Sequence, residues 1–341
     1  MHLFLDWTRQ QSSPRPHILI VDHGLRPEAH TEATKVAASA RKLGLKATVL
    51  RWTGRKPRSN IEEAARTARY RLLGAWCEAH SVSNLFAAHT ADDQAETFLL
   101  RLGRGSGVDG LSAMRARAPL PLAEFGTVQL LRPLLDVSRA ELRAHLVALG
   151  AKWIEDPMND EDRFARVKIR KALPALDAAG LSVSRITQAA GHLARAREAL
   201  DAAAQDFVTR HARAEPGRAL LDGARLAEVP REIALRALVA ILGNVGGAVY
   251  RPRFERSEAL LDAILSGSFA ARTLGGCRIG RAPKAQAAFG PATLLITREA
   301  GRGLGSERSG ATLPGEAAET FMEPSPATPA LLPQKGRIRR L

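Results

Sequence analysis

Cysteine is almost missing from this chain of 341 residues. The two present, Cys77 and Cys277, are far apart and match no metal-ligand spacing. That excludes a zinc or iron–sulfur site and a disulfide framework, and it points to a cytoplasmic home. Aromatic residues make up only 5%, so packing must rely on Ala, Leu, Val and Ile within a hydrophobic content of 45%. No stretch approaches the roughly 18 apolar residues of a membrane span, which excludes a membrane partner. The first residues carry no basic region followed by an apolar core and a cleavage site, so they do not form a secretory signal. Met1–Gln10 (MHLFLDWTRQ) reads as the end of an amphipathic helix with Leu3 and Trp7 facing inward beside Phe4. It lacks the Ser, Thr, Asp or Asn that normally opens a helix.

Acidic residues are also in short supply. Fifty Lys and Arg stand against 35 Asp and Glu, a formal charge of +15, and the basic residues are mostly arginine. A high-GC genome accounts for the alanine excess and part of the arginine. The remaining imbalance favours a nucleic-acid partner, because guanidinium groups contact phosphates and base edges in pairs.

HILIVD (17–22) is a continuous β-rich run, as in a strand buried on both faces. Residues 29–43 read as a helix stopped at Gly44, Lys46–Trp52 as a second strand, and 61–80 as a long helix capped by Asn60. Asn84–Ala88 reads as a third strand and 92–103 as a third helix. Strands alternating with helices indicate a parallel α/β sheet, whose ligands bind beyond the carboxyl ends of the strands, where His23 and His89 fall. Ser138 with Glu141 three residues later forms a capping box. RFARVKIRKALPAL (163–176) is a basic helix, and 183–213 a long Ala/Arg helix. These features divide the chain into 1–178, an α/β domain; 179–300, a smaller and mostly helical domain; and 301–341, a disordered tail rich in Gly, Ser, Pro and Ala.

One stretch carries most of the chemistry: AAHTADDQAETFLLRLGRGSGVDGLSAM (87–114). His89 follows a strand, Asp92 and Asp93 open a helix, and Glu96 adds a third carboxylate on the same helix face. Adjacent carboxylates at a helix N-terminus are stabilised by the macrodipole and suit Mg2+ in company with phosphate oxygens. Taken alone, the pair reads better as ordinary helix-opening Asp residues. Arg101 and Arg104 close the helix before Gly105-Ser106-Gly107. VDHGLR (21–26) sets His23 and Arg26 past a strand end, where an isolated motif would read as a solvated turn. RTARYRLL (66–73) lays Arg66, Arg69 and Tyr70 along one helix, as a phosphate contact or as a solvated basic face. Arg132, the segment RVKIRK (166–171) with Arg166, Lys168 and Arg170, and ARTLGGCRIGR (271–281) together suit a phosphate-binding stripe, whereas any one of these runs alone reads better as a solvated charged face.

VDHGLR, NIEEAARTARYRLL, HTADDQAETFLLRLGRGSGVDGLSAM, LLRPLLDVSRAEL and WIEDPMNDEDRFARVKIRKALPAL, in this order and spacing, resemble the tRNA(Ile)-lysidine synthase family of the PP-loop ATP pyrophosphatases. The resemblance covers residues 17–176. It implies an adenine-nucleotide-binding, HUP-like parallel sheet. It implies ATP and Mg2+ as cofactors, and tRNA(Ile) with a CAU anticodon and free L-lysine as partners. ATP adenylates the C2 oxygen of the wobble cytidine, and the lysine ε-amine then displaces AMP. On this resemblance Asp92 and Asp93 lie in the metal–ATP and lysine region, Asp93 as the Mg2+ ligand. Glu96 binds lysine, His89 lies against ATP or the activated base, Arg69 contacts phosphate and His23 walls the adenosine site. Arg101, Arg104, Arg132, Arg166, Lys168 and Arg170 contact RNA. Val167 departs from the family's Arg-Asn pair at 166–167.

A larger departure is the family's S-G-G-x-D-S loop and the strand before it, neither of which occurs in the sequence. The expected sheet therefore lacks its first, central strand, leaving two strand edges to pair elsewhere. The expectation that follows is that the chain as written does not consume ATP with lysine and tRNA, whether because its start lies further upstream or because it is a tRNA-binding remnant. Two other classes compete. A tRNA thiolase predicts cysteine pairs, and an enzyme adenylating a small molecule predicts no tRNA binding at moderate salt.

Overall fold

In a computed structural model the chain divides into two compact units, Met1–Arg195 and Ala196–Leu341. The structure describes residues 1–11, 15–57, 59–151, 153, 165–247, 252–267 and 269–299. The expected tail at 301–341 and most of the WIEDPMND turn lie outside them.

The first unit runs α1 (His2–Gln10), β1 (His17–Asp22), α2 (Ala29–Lys42), β2 (Lys46–Arg51), α3 (Ile61–Ala79), β3 (Asn84–Phe86), α4 (Ala91–Leu102), α5 (Val108–Leu111), β4 (Arg117–Pro119), β5 (Gln129–Leu131), α6 (Arg139–Ala148) and α7 (Ala165–Ala178). β1 pairs in parallel with β2 alone. β3 pairs in parallel with β5, and β4 closes that sheet antiparallel. Among the described residues β1 and β3 therefore each keep an unpaired edge. HILIVD is not buried on both faces, a correction: only Asp22 is fully buried. Leu5, not Leu3 or Trp7, is the buried apolar anchor of α1, packing with Ala40, Leu45 and the half-buried Ile18. Phe4 meets Phe86 of β3 at 4.5 Å between centroids, so α1 touches both sheets.

α3 likewise reaches both. Trp76 meets His17 of β1 edge-on, while Tyr70 and Cys77 join Leu120, Phe125, Val128 and Leu130 in a second core cluster. Asn60 stands at the α3 N-cap in the left-handed region, with φ 54°, and its side chain makes no capping bond. Gly44 ends α2 with φ +74°, as expected of a C-terminal glycine.

α8 (Val183–His211) crosses the division between the units. Beyond it come β6 (Ala212–Glu215), β7 (Arg218–Asp222), α9 (Arg231–Gly246), α10 (Phe254–Leu265), β8 (Arg272–Leu274), β9 (Cys277–Arg281) and β10 (Thr293–Arg298). The strands form one antiparallel sheet in the order β6-β7-β10-β9-β8. Leu221 pairs with Leu294 and Ile296 with Ile279, setting these residues on the face that packs against α9. A Cβ at Gly246 would lie 2.2 Å from the Gly275 carbonyl, so the end of α9 can approach the β8–β9 turn only as glycine. Among the described residues no helix is long and apolar enough to cross a membrane.

Candidate active site

The N-terminus of α4 organises the site. Thr90 caps it and forms a capping box with Asp93: the Thr90 N–H and hydroxyl both donate to Asp93 Oδ2 at 2.8 Å. The next residue, Gln94, exchanges two bonds with the backbone of Met114, which pins the far end of the motif. The α4 C-terminus is tied down as well, since Arg101 donates to the carbonyls of Gly110 and Ala113 at 2.8 and 2.9 Å. Gly110 has to be glycine, because a Cβ there would stand 2.4 Å from the Ser106 side chain.

The three carboxylates converge on arginines from distant helices. The Arg139 N–H, at the start of α6, donates to Asp92 Oδ2 at 2.7 Å. Its guanidinium bridges Asp93 Oδ1 at 2.6 Å and Glu96 Oε1 at 3.0 Å. Arg170 of α7 reaches the same Glu96 oxygen at 3.0 Å. Glu96 is only 1% exposed, so both guanidiniums offset a charge that water cannot. Burial pushes the Asp93 pKa up, but the Thr90 N–H and the Arg139 charge outweigh it and hold the carboxyl below its usual range. Arg139 loses some preference for its charge to burial and regains more from Glu96 and Asp93.

This pairing alters two expected roles. Glu96 is enclosed by cations and is not open to an incoming amine. Asp93 has both oxygens engaged, and among the described residues no group of three His, Cys, Asp or Glu could hold a metal ion. In this arrangement Asp93 serves the capping box and Arg139. Asp92 is the carboxylate of the three with an oxygen, Oδ1, that accepts no bond among the described residues.

A second group lies beside the first and carries the opposite charge. His89 has its pKa lowered to about 4 by burial and then by Arg132, with Arg66 and Arg166 adding to the effect against Asp93. His23, just past β1, is lowered to about 4 by burial and then by Arg69, with Lys56 adding and Asp22 opposing. Both imidazoles are neutral at pH 7, and the buried Nδ1 of each has no hydrogen-bond partner among the described residues. Burial, then Arg66 and Arg104, lower the pKa of Arg101. Burial, then Arg66 and Arg166, do the same to Arg69, although much of its side-chain surface faces solvent. Arg66, Arg69, Arg101, Arg104, Arg132 and Arg166 make no ion pair with a carboxylate among the described residues.

Buried polar atoms without partners and cations without counter-charges both fit a polyphosphate ligand at the carboxyl ends of β1 and β3. Asp22, 1% exposed, anchors the first of these ends by accepting from Gly24 N–H, His30 and Arg51.

Most residues expected in the site are therefore together. Three differ from their expected role. Arg132 is 8% exposed and donates to the Arg115 carbonyl, which places it in the wall of the site. Arg101 spends one guanidinium nitrogen on carbonyls. Arg170 is occupied by Glu96. Lys168 is exposed. Arg139 and Gln94 were not legible as site residues. Arg139 directly follows a capping serine, and its partners are 43 and 46 residues away in the chain.

These features define a PP-loop nucleotide-binding protein: a PP-loop domain model matches residues 1–176, within a family that uses ATP. Among curated relatives, the tRNA(Ile)-lysidine synthase of Methylobacterium nodulans is 44% identical over 76% of this chain and 77% of its own length. That of Ruegeria pomeroyi is 43% identical over 77% of this chain and 61% of its own, and that of Wolbachia pipientis 37% identical over 89% and 68%. The chain belongs to the tRNA(Ile)-lysidine synthase family, whose members are ligases. A solved U34-tRNA thiolase from Methanococcus maripaludis overlaps with a TM-score of 0.43 and 15% identity, over 56% of this chain and 64% of that one.

Proposed function

We propose that this chain joins free L-lysine to C2 of the wobble cytidine in tRNA(Ile) with a CAU anticodon, in the cytoplasm, at the expense of ATP. What carries the reading is the meeting of two groups at one end of the strands. Cations without carboxylate partners surround two neutral imidazoles on one side, and a cluster of carboxylates opens α4 on the other.

Cytosine C2 has no leaving group of its own. Attack of its oxygen on the α-phosphorus of ATP expels pyrophosphate and converts that oxygen into part of a good leaving group. Arg66, Arg69 and Arg166 supply positive charge for the phosphates, and His23 and His89 supply neutral ring nitrogens that do not repel a base. The lysine ε-ammonium must lose a proton before its nitrogen attacks C2 and AMP departs. Asp92, with its available oxygen, binds that ammonium and accepts the proton, and Asp93 and Glu96 hold the surrounding charge in place.

The test is incubation of the chain with ATP, L-lysine and a tRNA(Ile) transcript, with lysidine read by mass spectrometry of the nucleosides. On this reading, and against the expectation of no ATP consumption drawn from the absent S-G-G-x-D-S loop, a product forms that depends on all three substrates and falls by about a hundredfold or more in Asp92→Asn. A second reading, tRNA binding without catalysis, is favoured by the pairing of Asp93 and Glu96 with arginines. Salt-sensitive tRNA binding with no ATP consumed would install it in place of the first.

A further inference from the structure

Among the described residues, Arg139 holds a position in the carboxylate cluster that no other cation duplicates. Its backbone N–H is bound by Asp92, and its guanidinium lies between Asp93 and Glu96 at 2.6 and 3.0 Å. It is also the anchor of its helix: α6 has no buried side chain, so charge and not apolar packing fixes its N-terminus against α4. A guanidinium is a planar fork suited to two carboxylates at once, whereas an ammonium is a compact point charge. The space between Asp93 and Glu96 thus has the form and charge of a guanidinium site, and the chain fills it with its own residue.

We propose that Arg139 is a specificity-determining residue. By occupying the fork between Asp93 and Glu96 it denies that position to free L-arginine and other guanidinium compounds. An incoming amine is left with Asp92, which suits a lysine ammonium. The inference rests on the reading that this cluster receives L-lysine. Deleting the side chain leaves two carboxylates, one of them 1% exposed, with one fewer cation, and a vacancy that matches the group removed. Arg170 remains on Glu96 but does not reach Asp93.

The experiment measures binding of labelled L-arginine and of labelled L-lysine to the full chain by equilibrium dialysis at pH 7.5, for wild type, Arg139→Ala and Arg139→Lys. Millimolar guanidinium chloride serves as competitor, and far-UV circular dichroism confirms the fold. Wild type is expected to bind L-arginine at least tenfold more weakly than L-lysine. Arg139→Ala is expected to gain at least tenfold in affinity for L-arginine, and guanidinium chloride is expected to displace it. A helix anchor without a role in selectivity would lose stability without gaining a ligand. Folded Arg139→Ala with no gain in L-arginine affinity overturns the proposal, as does wild type binding both amino acids equally. Should Arg139→Ala fail to fold, Arg139→Lys carries the test, because it restores a charge but not the fork: a gain of at least threefold for L-arginine supports the proposal and no gain overturns it. Asp92→Asn separates the underlying reading. Unchanged L-lysine binding in that variant defeats the lysine assignment, while displacement of L-arginine from Arg139→Ala by guanidinium reports on the fork alone.

Discussion

The two units are held together by different means. The second gathers twenty-one buried residues into one cluster, nine residues of α9 are buried, and one face of a five-stranded sheet lies against it. The first has clusters of six and three buried residues, two small sheets with unpaired edges, and a helix, α6, with no buried side chain. In place of a continuous core it has the ion pairs of Glu96, Asp93 and Asp22. Apolar packing is non-directional and needs no ligand. Paired charges and unpaired cations depend on geometry and on what binds. The first unit is thus the one whose stability responds to pH and ligands, as befits the unit that carries the site.

The largest effect expected is on the self-sufficient side. Leu238 is fully buried in the centre of α9, and Leu238→Ala should cost about 2–5 kcal/mol through lost burial and the cavity left behind. All four tryptophans, Trp7, Trp52, Trp76 and Trp153, lie in the first unit, so their emission reports on it alone. In urea, the circular dichroism transition of the variant should move to lower denaturant while the tryptophan transition stays. A joint shift of both probes would break the comparison.

A smaller effect is expected from pH, on the other side. His23 and His89 have folded pKa values of about 4, below the ordinary 6.5. The unfolded chain therefore binds more protons between those values. The stability due to keeping these rings neutral is present above about 6.5 and lost as pH falls towards 4, at most about 1.4 kcal/mol per pH unit for each ring. Burial lowers His17 in the same direction. Asp93 and Asp22 have lowered pKa values, so their share is present above 3.8 and is lost only in more acid solution. Urea titrations followed by tryptophan emission at pH 7, 5.5 and 4.5 should show the midpoint falling, and His89→Gln should flatten the fall. A midpoint constant from pH 7 to 4.5 in wild type would contradict it.

The parts of this molecule that could be read from the sequence are those with local causes. The ends of β1, the Ser138–Glu141 capping box and the Gly44 stop are set by residues within a turn of each other, and each matches or nearly matches its expected place. D-D-x-x-E was legible as a site because its spacing puts three carboxylates on one helix face. Its internal division of labour was not, since Glu96 meets Arg139 and Arg170 across 43 and 74 residues of chain. The burial of HILIVD was overestimated for a related reason: a run of β-branched residues says that a strand can be covered on both faces, not that neighbours are there to cover it. In the second unit, strands of three to six residues joined by glycine turns carry too little periodicity to announce a sheet.

The smallest effect on stability is expected at Arg104, and it is the one most useful for function. The side chain is exposed and accepts no structural duty, unlike Arg101 and Arg132 nearby. Arg104→Ala should leave the unfolding midpoint within about 0.5 kcal/mol of wild type. If the cation group receives nucleic acid, the slope of log affinity for tRNA against log salt should drop by about one, with affinity weakened alike for specific and unrelated tRNA. Arg132→Ala should do the reverse, disturbing the fold through Tyr70 and the Arg115 carbonyl before it changes the salt slope. Equal behaviour of the two variants would mean that buried and exposed cations here serve one purpose, and that the division between wall and contact surface within the first unit does not hold.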